Sequence, residues 1–89
     1  MTDYDVQHEL ENQRFVIYTE VGESELTYRL IGESQIDFNH TFVHPSKRGS
    51  KVGVSLVKAG IAWAEEQGYD IQASCWYVAR YLNKNSVMS

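Results

Sequence analysis

His44-Pro45-Ser46-Lys47-Arg48-Gly49-Ser50-Lys51-Val52-Gly53 is a basic, glycine-containing turn set between a strand pattern and a helix pattern. Upstream, Gln35 to Val43 alternates, with Ile36, Phe38, His40 and Phe42 on one face and Asp37, Asn39, Thr41 and Val43 on the other, the period-2 order of a strand. Downstream, Val52, Leu56, Val57, Gly60, Ile61 and Ala64 recur at helical spacing as far as Gln67, and Gly68 supplies a left-handed stop. A strand that enters a helix through such a turn aims backbone N–H groups and the positive end of the helix at one point. The ligand that suits this arrangement is an anion, above all a phosphate. The turn carries three cations, Lys47, Arg48 and Lys51; the plain alternative is a solvated loop.

Working outward, Arg14 to Glu20 is rich in β-branched and aromatic residues, and Gly22 punctuates it. Glu25 to Ile31 alternates Leu26, Tyr28 and Leu30 with Glu25, Thr27 and Arg29, so these two segments are predicted to form a hairpin. Gly32-Glu33-Ser34 then connects to the strand at Gln35. Past Gly68, Tyr69 to Cys75 places Tyr69, Ile71, Ala73 and Cys75 on one face of a short strand reached by a crossover from the third. Tyr77 to Asn83 reads as a short terminal helix, with Arg80 and Lys84 suited to its C-terminal end. The predicted order is βββαβα, an α+β fold of the α/β-sandwich kind, with a mixed sheet, a main helix and a short C-terminal helix. It is one domain over residues 1–89, with 1–12 and 84–89 expected to be loose ends and no repeat or linker.

Composition sets the bounds. With 89 residues and 43% hydrophobic content there is room for one core, and two tryptophans, six tyrosines and three phenylalanines offset the small size. A single cysteine, Cys75, rules out an internal disulfide and any cysteine-based metal spacing. That cysteine usage, and an acidic N-terminus with no apolar run behind it, predict an intracellular, cytoplasmic protein without signal or transit peptide. No stretch approaches the ~18 consecutive apolar residues of a membrane span. A net charge of −4 disfavours nucleic-acid binding but leaves room for one anionic ligand at the basic turn. His40 and His44 do not make a metal pair, because four positions along a strand separate them by about 13 Å, so no metal is expected.

From Phe38 to Asn83 the chain resembles the short members of the GCN5-related N-acetyltransferase superfamily. Four features carry the likeness: His40-Thr41-Phe42-Val43 at the position of the family's His-Thr strand end, and Arg48-Gly49-Ser50-Lys51-Val52-Gly53 at that of its Arg-Gly-x-Gly-x-Gly/Ala coenzyme A loop; Leu56-Val57 with Ala62 to Glu65 in its motif helix; and Cys75-Trp76-Tyr77-Val78 at its Cys-x-Tyr/Phe-Val end. The resemblance implies acetyl-CoA as co-substrate. The loop of Arg48, Gly49, Ser50, Lys51, Val52 and Gly53 would bind its pyrophosphate, Thr41, Phe42 and Val43 would pair with the pantetheine arm, and Lys47, Arg48 and Lys51 would add charge near the phosphates. The family's second glycine is Lys51 here, whose side chain either points outward as a further cation or crowds the loop.

The resemblance also places Cys75 beside the thioester, where the two central strands splay apart. Its thiolate would attack acetyl-CoA to give an acetyl-cysteine, or the acceptor amine would attack directly with the help of a general base. A helix starting at Trp76 or Tyr77 would acidify the thiol. The plain alternative is a small buried hydrophobe. His40 is the candidate base, set to meet Cys75 if the third and last strands are neighbours; otherwise it is a hydrogen-bonded core histidine. Trp63 and Trp76 read as packing residues, with Trp76 a secondary candidate for an acceptor pocket, and Tyr77 and Tyr81 as packing residues or general acids. The expected acceptor is an amine, either an exposed lysine or N-terminus of a peptide or protein, or a polyamine, since so short a chain leaves the cleft open. The rival expectation is a non-catalytic coenzyme A-binding or protein-interaction module on the same fold.

Overall fold

The computed structural model describes residues 5–47 and 51–86. Its elements are β1 (Gln7–Glu9), β2 (Arg14–Thr19), β3 (Gly22–Ile31), β4 (Gln35–Phe42), α1 (Val52–Gln67), β5 (Asp70–Ala73) and α2 (Trp76–Ser86), with 3₁₀ turns at Leu10–Asn12 and Pro45–Lys47. The five strands form one sheet in the order β1-β2-β3-β4-β5. Neighbours are antiparallel from β1 through β4, whereas β4 and β5 run parallel and are joined through α1. The predicted α+β order is therefore found, with one strand added at the front.

Alternation explains the hairpin. Phe15 pairs with Leu26 and Ile17 with Ser24, all turned to the same face, while Arg14, Tyr18, Glu23 and Glu25 take the other. Phe15, Ile17, Leu26, Tyr28, Ile36 and Phe38 of the sheet close on Val52, Leu56, Val57, Ile61 and Ala64 of α1 and on Val78 of α2. Both described helices thus cover one side of the sheet. On the side away from them, Arg14 bonds the carboxylates of Glu9, Glu23 and Glu25 at 2.7, 3.0 and 2.8 Å.

The main helix has the predicted bounds. Gly68 ends it at φ 80, a conformation open to glycine at little cost, and its N–H reaches the Glu65 carbonyl at 3.1 Å. Glu65 and Glu66 are exposed, as expected for acids at the negative end of a helix.

Among the described residues, parts of both stretches expected to be loose lie in regular structure. Within 1–12, β1 pairs with β2, because two side chains hold it there. His8 stacks on Phe15 at 4.1 Å, meets Trp63 edge-on at 4.5 Å and hydrogen-bonds the Tyr28 hydroxyl through Nε2 at 2.7 Å. Glu9 accepts from Tyr18, Arg14 and Asn12, which brings its carboxyl down to about 2. At the other end α2 continues through Ser86, past the predicted stop at Asn83.

Candidate active site between the two parallel strands

The ladder between β4 and β5 is short. It runs from Gln35 opposite Asp70 to Phe38 opposite Ala73, and the last backbone link is the Cys75 N–H to the Phe38 carbonyl at 3.1 Å. Beyond that point β4 continues to Phe42 while the other chain turns into α2. The parting strands open a cleft of about 600 Å³. Thr41, Val43, Lys47, Gly53, Cys75 and Tyr77 line it, together with Asn39, His40, Ser74 and Trp76.

A β-bulge decides which side chains face this cleft. Tyr28 pairs with Phe38 but the next residue back, Thr27, pairs with His40, so Asn39 is an extra residue in β4. The insertion reverses the alternation. Thr41 pairs with Leu26 and turns inward, whereas His40 pairs with the outward Thr27, whose hydroxyl also donates to Asn39 Oδ1 at 2.5 Å. The predicted face of Ile36, Phe38, His40 and Phe42 is therefore broken after Phe38. His40 and Phe42 are exposed, and Phe42 lies opposite Glu25. β4 and β5 are neighbours as expected, yet the residue beside the thiol is Thr41 rather than His40.

Cys75 immediately precedes α2, and its carbonyl accepts the Ala79 N–H at 3.0 Å as the first bond of that helix. Its Sγ lies 3.4 Å from Thr41 Oγ1. Burial pushes the thiol up, but the Thr41 hydroxyl and the backbone N–H groups of Val78, Tyr77 and Thr41 outweigh it and leave the thiol more acidic than a free cysteine. The helix start expected to acidify Cys75 is thus present, and the residue is half-buried rather than sealed in the core.

At the other end of the cleft, His44 pins the approach to α1. Its N–H donates to the fully buried Ser24 Oγ at 2.9 Å, its Nδ1 accepts the Ser46 N–H at 3.2 Å, and its carbonyl accepts the Lys47 N–H at 2.8 Å. Arg48, Gly49 and Ser50, all predicted cofactor contacts, lie outside the described residues. Lys51 is exposed and sits just before α1 at φ −95, a conformation any residue adopts, so its side chain points to solvent. Val52 is buried in the core and offers only its backbone. Gly53 leaves room for the Tyr77 ring: a Cβ there would lie 2.6 Å from the Tyr77 hydroxyl and 3.3 Å from Val43 Cγ2.

With strand, turn, helix and thiol in place, comparison with known proteins is decisive. Residues 14–88 match the family described as GCN5-related N-acetyl-transferase. The chain belongs to the GCN5-related N-acetyltransferase family. Among curated proteins it is similar to Protein NATD1 of Danio rerio, 26% identical over 82 residues, which is 90% of this chain and 74% of that protein. Protein NATD1 of Xenopus tropicalis is 30% identical over 60 residues, 67% of this chain and 55% of that protein, so the chain spans about half of that relative. A solved structure of a GCN5-like protein from Staphylococcus aureus has a TM-score of 0.75 at 29% identity, covering 98% of this chain and 85% of that one.

In this N-acetyltransferase-family chain, Cys75, His40, Thr41, Val43, Lys47 and Gly53 come together around one cleft, while Phe42 and Val52 do not line it. Trp63 packs as predicted, against His8, Phe15, Tyr28 and Tyr69. Trp76 does not: it is 69% exposed at the cleft. Tyr77, in the first turn of α2, lines the cleft beside Gly53 of α1, and burial raises its phenol. Two residues outside the sequence motifs also hold the site, Asn39 as the bulge and Asp37 as an acceptor for Ser74. A polar asparagine in mid-strand was the signal available for the bulge. Among the described residues no group of three or more His, Cys, Asp or Glu side chains is placed to hold a metal ion, and no helix is long and apolar enough to cross a membrane.

Proposed function

We propose that this chain binds acetyl-CoA in the cleft between β4 and β5 and transfers the acetyl group to an amine. One observation carries this function: the two parallel strands separate just where an acidified thiol at a helix start faces a hydroxyl, with α1 beginning at the other end of the same cleft. The stretch beyond the β4–β5 ladder, Thr41 and Phe42 of β4 with Val43 after it, suits an amide-rich pantetheine arm that adds as a further strand. The first-turn N–H groups of α1 at Val52 and Gly53, with Lys47 and Lys51, suit the phosphates. Arg48, Gly49 and Ser50 enter the proposal through family membership.

The Cys75 thiolate attacks the thioester carbonyl, a new C–S bond forms, and the coenzyme A sulfur leaves as a thiolate that takes up a proton. The amine nitrogen then attacks the acetyl-cysteine, the C–S bond to Cys75 breaks, and His40, at the rim of the cleft, takes the proton that the amine loses. The acceptor is an exposed amine of a peptide or protein, or a polyamine. The cytoplasm is the compartment we assign, on cysteine usage.

Titration of the protein with acetyl-CoA, followed by amide shifts, tests binding. Saturable shifts at Thr41 to Val43 and Lys51 to Gly53 are expected, together with the mass of one added acetyl group on Cys75. Silence of these amides at millimolar ligand would refute the cofactor site. A coenzyme A binder without turnover is the second reading. It is favoured by the bulge, which turns His40 away from the thiol, and binding without acetylation of either Cys75 or an amine would establish it.

A further inference from the structure

On the face of the sheet away from the helices, Asp37 closes a fork on Ser74. Its Oδ1 accepts the Ser74 N–H at 2.8 Å and its Oδ2 accepts the Ser74 hydroxyl at 2.8 Å. The next residue, Cys75, donates its N–H to Phe38. Successive residues of the outgoing chain are thus tied to successive residues of β4, at the point where the strands begin to part. Only Ser74 and Cys75 connect β5 to α2. Cys75 takes the N-cap position of that helix, from which a side-chain acceptor reaches the N–H groups of the second and third helical residues, here Tyr77 and Val78. A link this short leaves the direction of Sγ to the backbone angles of two residues.

We propose that Asp37 is the positioning residue for Cys75: by holding Ser74 through both carboxylate oxygens, it fixes the β5–α2 link in the conformation that sets Sγ between Thr41 and the first turn of α2. A carboxylate suits the task because one residue presents two donors, an N–H and an O–H, and its two oxygens accept one each. The β-strand neighbours of Asp37 are Arg29 on β3 and Gln72 on β5. The importance of the clamp to catalysis rests on the proposed acetyl transfer, but its test does not.

The sign of the effect separates positioning from charge. A carboxylate near a thiolate disfavours it by Coulomb repulsion, so removing the charge alone would make Cys75 more acidic. Loss of the clamp would instead withdraw Sγ from its donors and make it less acidic. Cys75 is the only cysteine in the chain, so the pH dependence of its alkylation by iodoacetamide reads this thiol without acetyl-CoA. For Asp37→Ala the midpoint is expected to rise by about one pH unit, a tenfold loss of thiolate below both midpoints. Asp37→Asn keeps an oxygen for the Ser74 N–H and drops the charge, so its midpoint is expected at or below that of the unsubstituted protein. Ser74→Ala keeps the N–H bond and loses the hydroxyl, and a smaller rise is expected. It decides the matter if Asp37→Ala does not fold. An unchanged or lowered midpoint in Asp37→Ala, or in Ser74→Ala if that variant stands alone, overturns the proposal. A raised midpoint in a protein whose amides ignore acetyl-CoA supports the clamp and refutes the transferase.

Discussion

Thr41 and Cys75 are brought together by one inserted residue. Because Asn39 adds a position to β4, the hydroxyl of Thr41 faces inward and lies 3.4 Å from Sγ. A hydrogen bond to a charged group is worth about 1.5–3 kcal/mol, or roughly one to two units of pKa. Since other donors share the sulfur, Thr41→Val is expected to raise the midpoint of Cys75 alkylation by about one pH unit. An unaltered pH profile would show that the backbone donors of α2 suffice. Gly53 makes a second residue-level case. The first atom that a Cβ would meet is the end of the flexible Tyr77 side chain, so Gly53→Ala is expected to shift that ring rather than unfold the protein. The cost is about 1 kcal/mol at most, read from thermal melting, with altered ring resonances of Tyr77.

β1 shows how a three-residue strand is kept in place. Two of its side chains carry acid-sensitive anchors, His8 in a ring of aromatics and Glu9 on Arg14. Burial lowers the basicity of His8, so the unfolded chain takes up that proton at higher pH than the folded one, and the anchor weakens as pH falls below about 6.5. Hydrogen bonds from Tyr18, Arg14 and Asn12 hold Glu9 down to about 2, so its contribution is complete above its ordinary value of 4.5 and is lost as pH falls toward 2. Protection of the Gln7–Glu9 amides, taken relative to their intrinsic exchange rates at each pH, is therefore expected to fall in two stages on acidification, ahead of protection in β3. Simultaneous loss of protection in both strands would contradict this. The replacement His8→Phe should remove the upper stage and leave the lower one.

The whole molecule is a sheet covered on one face, and its thickness is set where α1 crosses it. At Gly60 a Cβ would lie 2.9 Å from both Leu26 Cδ2 and Phe38 Cε1, and both neighbours are fully buried. Gly60→Ala gains up to about 1 kcal/mol of helix propensity but forces helix and sheet apart at a cost of about 1–3 kcal/mol. A net loss is expected, read as a melting temperature lower by several degrees, roughly 4–8 °C per kcal/mol for a domain of this size. A rise in melting temperature would mean that the sheet yields at this contact. In a small domain, with a total stability on the order of 5–15 kcal/mol, such a change is a large fraction.

Local pattern was enough for most of this architecture. The strand at Arg14, the alternation from Glu25 to Ile31, the helix from Val52 to Gln67 and its stop at Gly68 were all legible, because periodicity and a left-handed glycine act over a few neighbouring residues. The ordered motifs from His40 to Val78 made the family legible as well. The candidate site was legible as a set of residues and not as a geometry. The Asn39 bulge depends on how β3 and β4 come into register, and a single extra residue exchanged the places of His40 and Thr41. Pairing of β1, the Asp37–Ser74 fork and the approach of Tyr77 to Gly53 likewise join positions far apart in the chain. Such contacts form only when separate elements pack. Their geometry follows from the sum of that packing, and no short stretch of residues encodes it.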